Sequence, residues 1–347
     1  MYQSIQSKIG VRVKILDCSG SRHCSPSNFY SDPNFVLPGL REGTSMIVLG
    51  SDSGRTLVTE LAYRLHGPSQ APVVVALGGI SAGPDVQQWW QDLYGAGHAL
   101  DPQHYRILGM DWFGGRWGDG QCVSTDEQAQ ILAGVLDHLR INRVRLLVGA
   151  SYGAMVGLAF AARYHERLDE LLAISGAHRA HPMAVARRQI QRDIVRLGES
   201  AGRAEDGLVL ARALALTTYR PAALFEEQFD DLDPQRVAAA IAAYFDHQGS
   251  KFLASFDAAR YCSLSESLDL HQVTPERVCC PVTLVGVDTD ELVPCRQLNE
   301  LAARLGRRCR LQIIHSRYGH DAFLKEPELF NELIRSVLAE ERDHEQV

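Results

Sequence analysis

The chain has 347 residues, 46% of them apolar and 22% charged, with 29 Gly and 14 Pro. That composition excludes collagenous, low-complexity and disordered classes. Thirty-five Lys and Arg against 42 Asp and Glu leave a net charge of −7, and no basic stripe runs along the chain, so neither nucleic acid nor a membrane is an expected partner.

The opening MYQSIQSKIGVRVKILDC has no apolar run of the signal-peptide kind, and a cytoplasmic protein is expected. Residues 1–40 are polar, with Pro26, Pro33 and Pro38, and read as an N-terminal arm laid over the fold. Leu57, Thr59, Leu61, Tyr63 and Leu65 alternate as in a half-buried strand. Pro72 then opens VVVALGG, a continuous apolar run ending in glycines, the pattern of a strand buried on both faces of a parallel sheet. YRILGMD, from Tyr105 to Asp111, is a second such run and leads into Gly114-Gly115. Ser124 to Leu139 has helical periodicity, with Ser124 or Thr125 as its cap. The apolar stretch from Val144 to Ala162 resembles a membrane span in length, but Arg145, three Gly and a Ser-Tyr pair make it a buried strand, a turn and a helix. Leu168 to Ser175 is the next strand.

From His178 the pattern changes. Residues 182–275 are helical in character throughout, without a buried-strand run. The strand-helix alternation resumes with Val282–Val287, Leu298–Leu305, Arg310–Ile314 and Pro327–Leu338. Strands alternating with helices predict a mostly parallel, doubly wound α/β sheet. The expected organisation is the arm, a core over 41–180, a helical lid over 181–275 and the rest of the core over 276–347. A helical insertion of this kind covers a ligand. The eight Cys have no CxxC spacing and read as reduced, mostly buried thiols; Cys18 and Cys24 give only a weak metal or disulfide signal, and no metal is expected.

Gly149-Ala-Ser151-Tyr-Gly153 lies between a buried strand and a helix, the context of a G-x-S-x-G nucleophile elbow. The serine sits on a strained turn, and small residues two before and two after let strand and helix approach. Its hydroxyl needs a base, and the base an orienting acid. In the α/β-hydrolase order these follow as a carboxylate and then a histidine. The strand PVTLVGV delivers Asp288 and Asp290 to the C-terminal sheet edge; Asp290 is preferred, since Asp288 is nearly within the strand. His320 is the one histidine on a Gly-containing loop just beyond a C-terminal strand, whereas His315 ends the strand itself. His178 and His181 precede the lid and are weaker candidates. An oxyanion hole needs the backbone N–H of Tyr152 and one from the Ala76-Leu-Gly-Gly-Ile80 loop, where Leu77 and Gly79 both qualify.

The chain resembles the MetX-type homoserine O-acyltransferases of the α/β-hydrolase superfamily from about residue 57 to residue 340. The likeness rests on Trp89-Trp90 with Gly95-Ala-Gly97 and Leu100-Asp101, and on the elbow. It continues through Gly207-Leu-Val-Leu-Ala-Arg212 with Thr218-Tyr219, and through Tyr244, Gln248-Gly249, Lys251-Phe252 and Phe256-Asp257-Ala258. It ends in Tyr318-Gly-His-Asp-Ala-Phe-Leu324. The resemblance implies Ser151 as nucleophile, Asp290 as acid partner and His320 as base. It also implies Arg212, Tyr219 and Asp321 as contacts to homoserine, whose carboxylate wants a cation and whose ammonium an anion.

The sequence departs from that family at Val75, where a His is usual, at the loop from Met110 to Asp119, and in a shorter lid. The resemblance implies ping-pong transfer of an acetyl or succinyl group from acyl-CoA to homoserine, in methionine biosynthesis, by a homodimer with no cofactor beyond the acyl-CoA co-substrate. Succinyl-using members carry an Arg two residues beyond the acid; Leu292 stands there and leans towards acetyl. Serine is an alternative acceptor, an ester or lactone hydrolase the alternative enzyme, and a hydrolase-fold ligand receptor the non-enzyme alternative.

Overall fold

A computed structural model of the chain describes residues 14–16, 39–50, 56–230 and 233–340. Most of the expected N-terminal arm, including Cys18 and Cys24, lies outside the described residues.

Among the described residues nine strands form one sheet: β1 (Lys14–Leu16), β2 (Leu40–Gly50), β3 (Thr56–His66), β4 (Val73–Leu77), β5 (Arg106–Met110), β6 (Leu146–Ala150), β7 (Leu171–Ile174), β8 (Val282–Val287) and β9 (Cys309–Ile314). Their order is β1-β2-β3-β5-β4-β6-β7-β8-β9. From β5 to β9 every neighbouring pair is parallel, while β1, β2 and β3 join antiparallel at one end. The mostly parallel sheet expected from the sequence is therefore present. Strand β2 is an addition to it. Its first half is polar, with Arg41, Glu42 and Thr44 exposed, and its apolar run is confined to Met46–Leu49, where Ile47 and Leu49 enter the core; all eleven residues pair with β3.

Every residue of β4, β6, β7 and β8 is buried. Alternation along β4 sorts these side chains into two cores: Val73, Val75 and Leu77 face one apolar cluster, Val74 and Ala76 the other. The first cluster is roofed by α2 (Thr125–His138) and α3 (Tyr152–Arg163). The second is closed by α1 (Val86–Trp89) and by the last helix, which supplies Phe330, Ile334 and Val337. Ser124 starts α2 with a full capping box, its side chain accepting from the Glu127 N–H while the Glu127 carboxylate accepts from the Ser124 N–H.

The insertion between β7 and β8 consists of α4 (Pro182–Ser200), α5 (Ala204–Tyr219), α6 (Ala222–Phe229), α7 (Pro234–Leu253) and α8 (Ala258–Asp269). The core then closes with α9 (Cys295–Leu305), α10 (Ala322–Lys325) and α11 (Pro327–Ala339). Helix α6 is set apart from α5 by Pro221, which cannot continue a helix from the preceding turn. No single helix among the described residues is long and apolar enough to cross a membrane, and Val144 to Ala162 divides into β6, the elbow and α3. Of the six described cysteines, all free, Cys122, Cys262 and Cys280 are buried and Cys279 is exposed.

Candidate active site

The elbow stands at the junction of β6 and α3. Ser151 has φ 55° and ψ −114°, a conformation L-residues seldom adopt, and its N–H is tied to the Ile174 carbonyl at 2.9 Å. The two flanking glycines are required by close approach. A Cβ on Gly149 would sit 2.3 Å from the Gly153 oxygen, and one on Gly153 would sit 2.2 Å from the Leu77 oxygen. The Gly153 N–H donates to the Gly78 carbonyl at 2.9 Å, so helix start and oxyanion loop are bonded to each other.

His320 lies 2.8 Å from the Ser151 hydroxyl through Nε2 and 2.7 Å from Asp290 Oδ2 through Nδ1. A carboxylate only accepts, so Nδ1 carries the proton and Nε2 is free to accept from serine. The other Asp290 oxygen accepts from the backbone N–H groups of Leu292 (2.8 Å) and Val293 (3.1 Å), which fixes the carboxylate in place. Asp290 and His320 are both buried. Burial pulls the imidazole pKa down, but the Asp290 carboxylate, its hydrogen bond and the nearby Asp321 outweigh that, leaving His320 above its ordinary value. Asp288 is excluded from this relay. Its carboxylate pairs at 2.7 Å with His315, whose side chain is 83% exposed, and Asp290 is the one of the two that is bonded to His320.

The first N–H groups of α3 have no intrahelical acceptors, which leaves the Tyr152 amide available beside the nucleophile. The Tyr152 side chain is buried, bonded to Ser267 at 2.7 Å and edge-on to Trp112. Gly79 lines the cavity above Ser151, whereas Leu77 ends β4 with its side chain in the core and its carbonyl against Gly153. Trp112 belongs to the loop where the sequence departs from the family pattern. Its indole N–H donates to the Gly79 carbonyl at 2.9 Å and so steadies that glycine from behind.

A cavity of about 190 Å³ opens over Ser151 and is roofed by α4, α5 and α8. Arg212 and Tyr219 of α5 and Asp321 beside His320 all line it. The Arg212 guanidinium stacks over Phe252 at 4.9 Å and Tyr219 at 5.5 Å, and has no anionic partner among the described residues. The Tyr219 ring lies 5.9 Å from the His320 ring. Asp321 differs from expectation in one respect: Oδ2 already accepts from Arg220 Nε at 3.0 Å. His181 also faces the cavity, and its Nδ1 accepts from the Met183 N–H at the start of α4. His178 is buried beside Glu300, and burial lowers its pKa.

Sequence reasoning missed Arg188 and Gln191. With Ala184 they recur at helical spacing along the cavity face of α4, a signal the helix pattern contains but does not label. Arg188 Nε bonds Asp269 Oδ1 at 2.6 Å, while its Nη2 is buried without a hydrogen-bond partner among the described residues. Those residues contain no group of three or more His, Cys, Asp or Glu placed to hold a metal.

A serine, histidine and aspartate in hydrogen-bonded relay at the C-terminal edge of a parallel sheet, under a helical lid, define a nucleophilic acyl-transfer site on an α/β-hydrolase fold. The family described as alpha/beta hydrolase fold matches residues 72–327. A homoserine O-succinyltransferase of Xanthomonas campestris is 42% identical over 289 residues, covering 80% of this chain and 78% of that protein. A homoserine O-acetyltransferase of Thermus thermophilus is 31% identical, over 72% of each chain. Among solved structures, a homoserine O-acetyltransferase from Bacillus anthracis superposes with a TM-score of 0.77 at 15% identity, covering 88% of this chain and 99% of that one. Esterase E22 superposes at 0.74 with 14% identity, over 86% of this chain and 99% of its own, so the fold by itself is shared by transferases and hydrolases. The chain belongs to the homoserine O-acyltransferase family of alpha/beta-hydrolase-fold proteins.

Proposed function

We propose that this protein transfers an acyl group from acyl-CoA to the hydroxyl of homoserine, a step of methionine biosynthesis, through an acyl-serine intermediate. The observation that carries this reading is Arg212. A guanidinium lying against two rings in the cavity, with no anionic partner among the described residues, is suited to a substrate carboxylate; Asp321 nearby supplies the opposite charge for an ammonium group. Water as acceptor would need neither.

In the first half-reaction Ser151 Oγ attacks the thioester carbonyl as His320 Nε2 takes its proton. The developing oxyanion meets the Tyr152 N–H and a second N–H from the 77–79 segment. The C–S bond breaks and the leaving thiolate takes the proton back from the imidazolium, releasing CoA. In the second, the homoserine hydroxyl loses its proton to His320 and attacks the acyl carbon. Collapse returns the serine oxygen with its proton and releases the O-acyl product.

Succinyl-CoA is the proposed donor. The 42%-identical relative is named a succinyltransferase, and two further arginines, Arg179 and Arg188, line the cavity although Leu292 supplies no charge. Thiol release measured with acetyl- and succinyl-CoA against homoserine, serine and no acceptor tests donor and acceptor together. Rapid turnover with no acceptor would make it a hydrolase.

Arg212→Ala is expected to raise the acceptor KM about ten- to a hundredfold, the worth of a charge-assisted contact of about 1.5–3 kcal/mol. The burst of CoA release before acceptor is added should be nearly unchanged, because acylation needs only the triad and oxyanion donors. A lost burst with unchanged acceptor dependence, seen by rapid mixing, would move Arg212 to the CoA side.

Homodimerisation is proposed as well. Met183, Ile190 and Leu197 recur every seven residues along α4 and are 54%, 55% and 70% exposed. Sedimentation should give twice the chain mass, and Leu197→Lys should shift it towards the monomer.

A further inference from the structure

The α5–α6 turn and the loop of the catalytic histidine are in backbone contact. Gly319 has φ +57°, and a Cβ there would lie 2.8 Å from the Tyr219 oxygen and 2.7 Å from Pro221 Cδ. This contact delivers Arg220, the residue between them, from the lid to the core side of the site. Its Nε donates to Asp321 Oδ2 at 3.0 Å, and its Nη1 donates to the Tyr244 hydroxyl on α7 at 2.6 Å. The Arg220 side chain is 21% exposed and that of Asp321 14%. Tyr244 is itself held among Phe225, Phe229 and Phe245, so the guanidinium is anchored at both ends.

We infer that Arg220 is a positioning residue of the acceptor site: it aims Asp321 through one carboxylate oxygen, leaves the other for the acceptor's ammonium, and balances the Asp321 charge beside His320. The inference rests on the proposed acceptor clamp. It also explains why a carboxylate already in an ion pair can serve as a binding group. A carboxylate has about four lone-pair sites, and a single contact from Arg220 occupies one of them. Without Arg220, Asp321 would be free to turn and would stand as an uncompensated anion next to the base.

The charge balance can be read in a pH profile, because the groups around His320 are defined. Asp290 faces it from the loop after β8 and Ser151 from the elbow. Asp321 stands on its own segment, Arg188 acts from α4, Tyr219 packs from α5, and the Phe323 ring lies edge-on to the imidazole at 6.2 Å. Asp290 and Asp321 favour the imidazolium, and Arg188 opposes it. Deleting the cation that neutralises Asp321 strengthens its pull, so His320 holds its proton to higher pH and the base is lost over a wider acid range.

The experiment compares Arg220→Gln, Arg220→Lys, Tyr244→Phe and Asp321→Asn with the parent enzyme, using the CoA burst and homoserine-dependent turnover across pH. Arg220→Gln should raise the homoserine KM about tenfold or more, while the burst amplitude at high pH stays within about twofold, and should move the acid limb of turnover upward by about half a pH unit. Arg220→Lys, which keeps the charge, should restore the acid limb and most of the KM. Tyr244→Phe, which keeps the ring packing, should raise KM about two- to threefold. An Arg220→Gln enzyme with parent KM and acid limb would overturn the inference, and so would an equal loss of burst and turnover. Should Arg220→Gln fail to fold, an unchanged homoserine KM in Tyr244→Phe would overturn it. If Asp321→Asn raises the homoserine KM while the Arg220 variants do not, only the positioning role fails. If Asp321→Asn leaves KM unchanged, the acceptor clamp itself is wrong.

Discussion

Replacing Ser151 with Ala is expected to abolish acyl-enzyme formation and to lower turnover by roughly three decades or more, with the fold unchanged. The Oγ is the only atom lost, and the elbow does not depend on it. Ser151 is held by its backbone, through the 2.9 Å bond to Ile174 and the Gly149 and Gly153 contacts, while among the described residues the hydroxyl is bonded only to His320. Alanine faces the same positive φ as serine and inherits the same strain, so the melting temperature should move little. Mass spectrometry after mixing with acyl-CoA reads the intermediate directly. A covalent adduct on the Ala variant, or near-normal turnover, would remove Ser151 from the mechanism.

Asp290→Asn should cost roughly four decades, whereas Asp288→Asn should stay within a few-fold of the parent. The contrast is built into the hydrogen bonds. Asp290 accepts the Nδ1 proton of His320 and is itself oriented by two backbone N–H groups. An Asn amide can donate to Nδ1 instead, which places the imidazole proton on Nε2, where it can no longer take one from serine. Asp288 is bonded to an exposed histidine outside the relay.

The pH profile gives an independent reading. His320 stands above its ordinary pKa mainly because Asp290 outweighs burial, so activity fails as pH falls through that raised value. Removing the Asp290 charge lets burial win, and the acid limb of the residual activity should move to lower pH. A profile that stays in place, or the opposite ranking of the two variants, would reassign the acid.

Local sequence pattern carries the parallel core and the elbow, and the α/β-hydrolase order of carboxylate then histidine points from the elbow to Asp290 and His320. Buried strands need continuous apolar runs, the elbow needs glycine where backbone approaches backbone, and β8 and the Gly319 loop must end at the same sheet edge. Local pattern also marked the helical insertion, since α4, α5, α7 and α8 each carry helical periodicity, whereas Arg212 was marked only by the family resemblance.

Tertiary structure alone decided three things. The extent of strand β2 is set by its eleven-residue pairing with β3, because its apolar run covers only Met46–Leu49 and the polar residues before it give no strand signal of their own. The environment of Arg212 depends on Phe252, which arrives from another helix, so the pair of rings against its guanidinium is invisible in any local window. The partner of Asp321 was likewise hidden. Arg220 is 101 residues away in the chain, and only the close packing of the α5–α6 turn on Gly319 brings the two charges into contact. Periodicity reports which face of an element is buried; it carries no information on which distant charge will be folded against it.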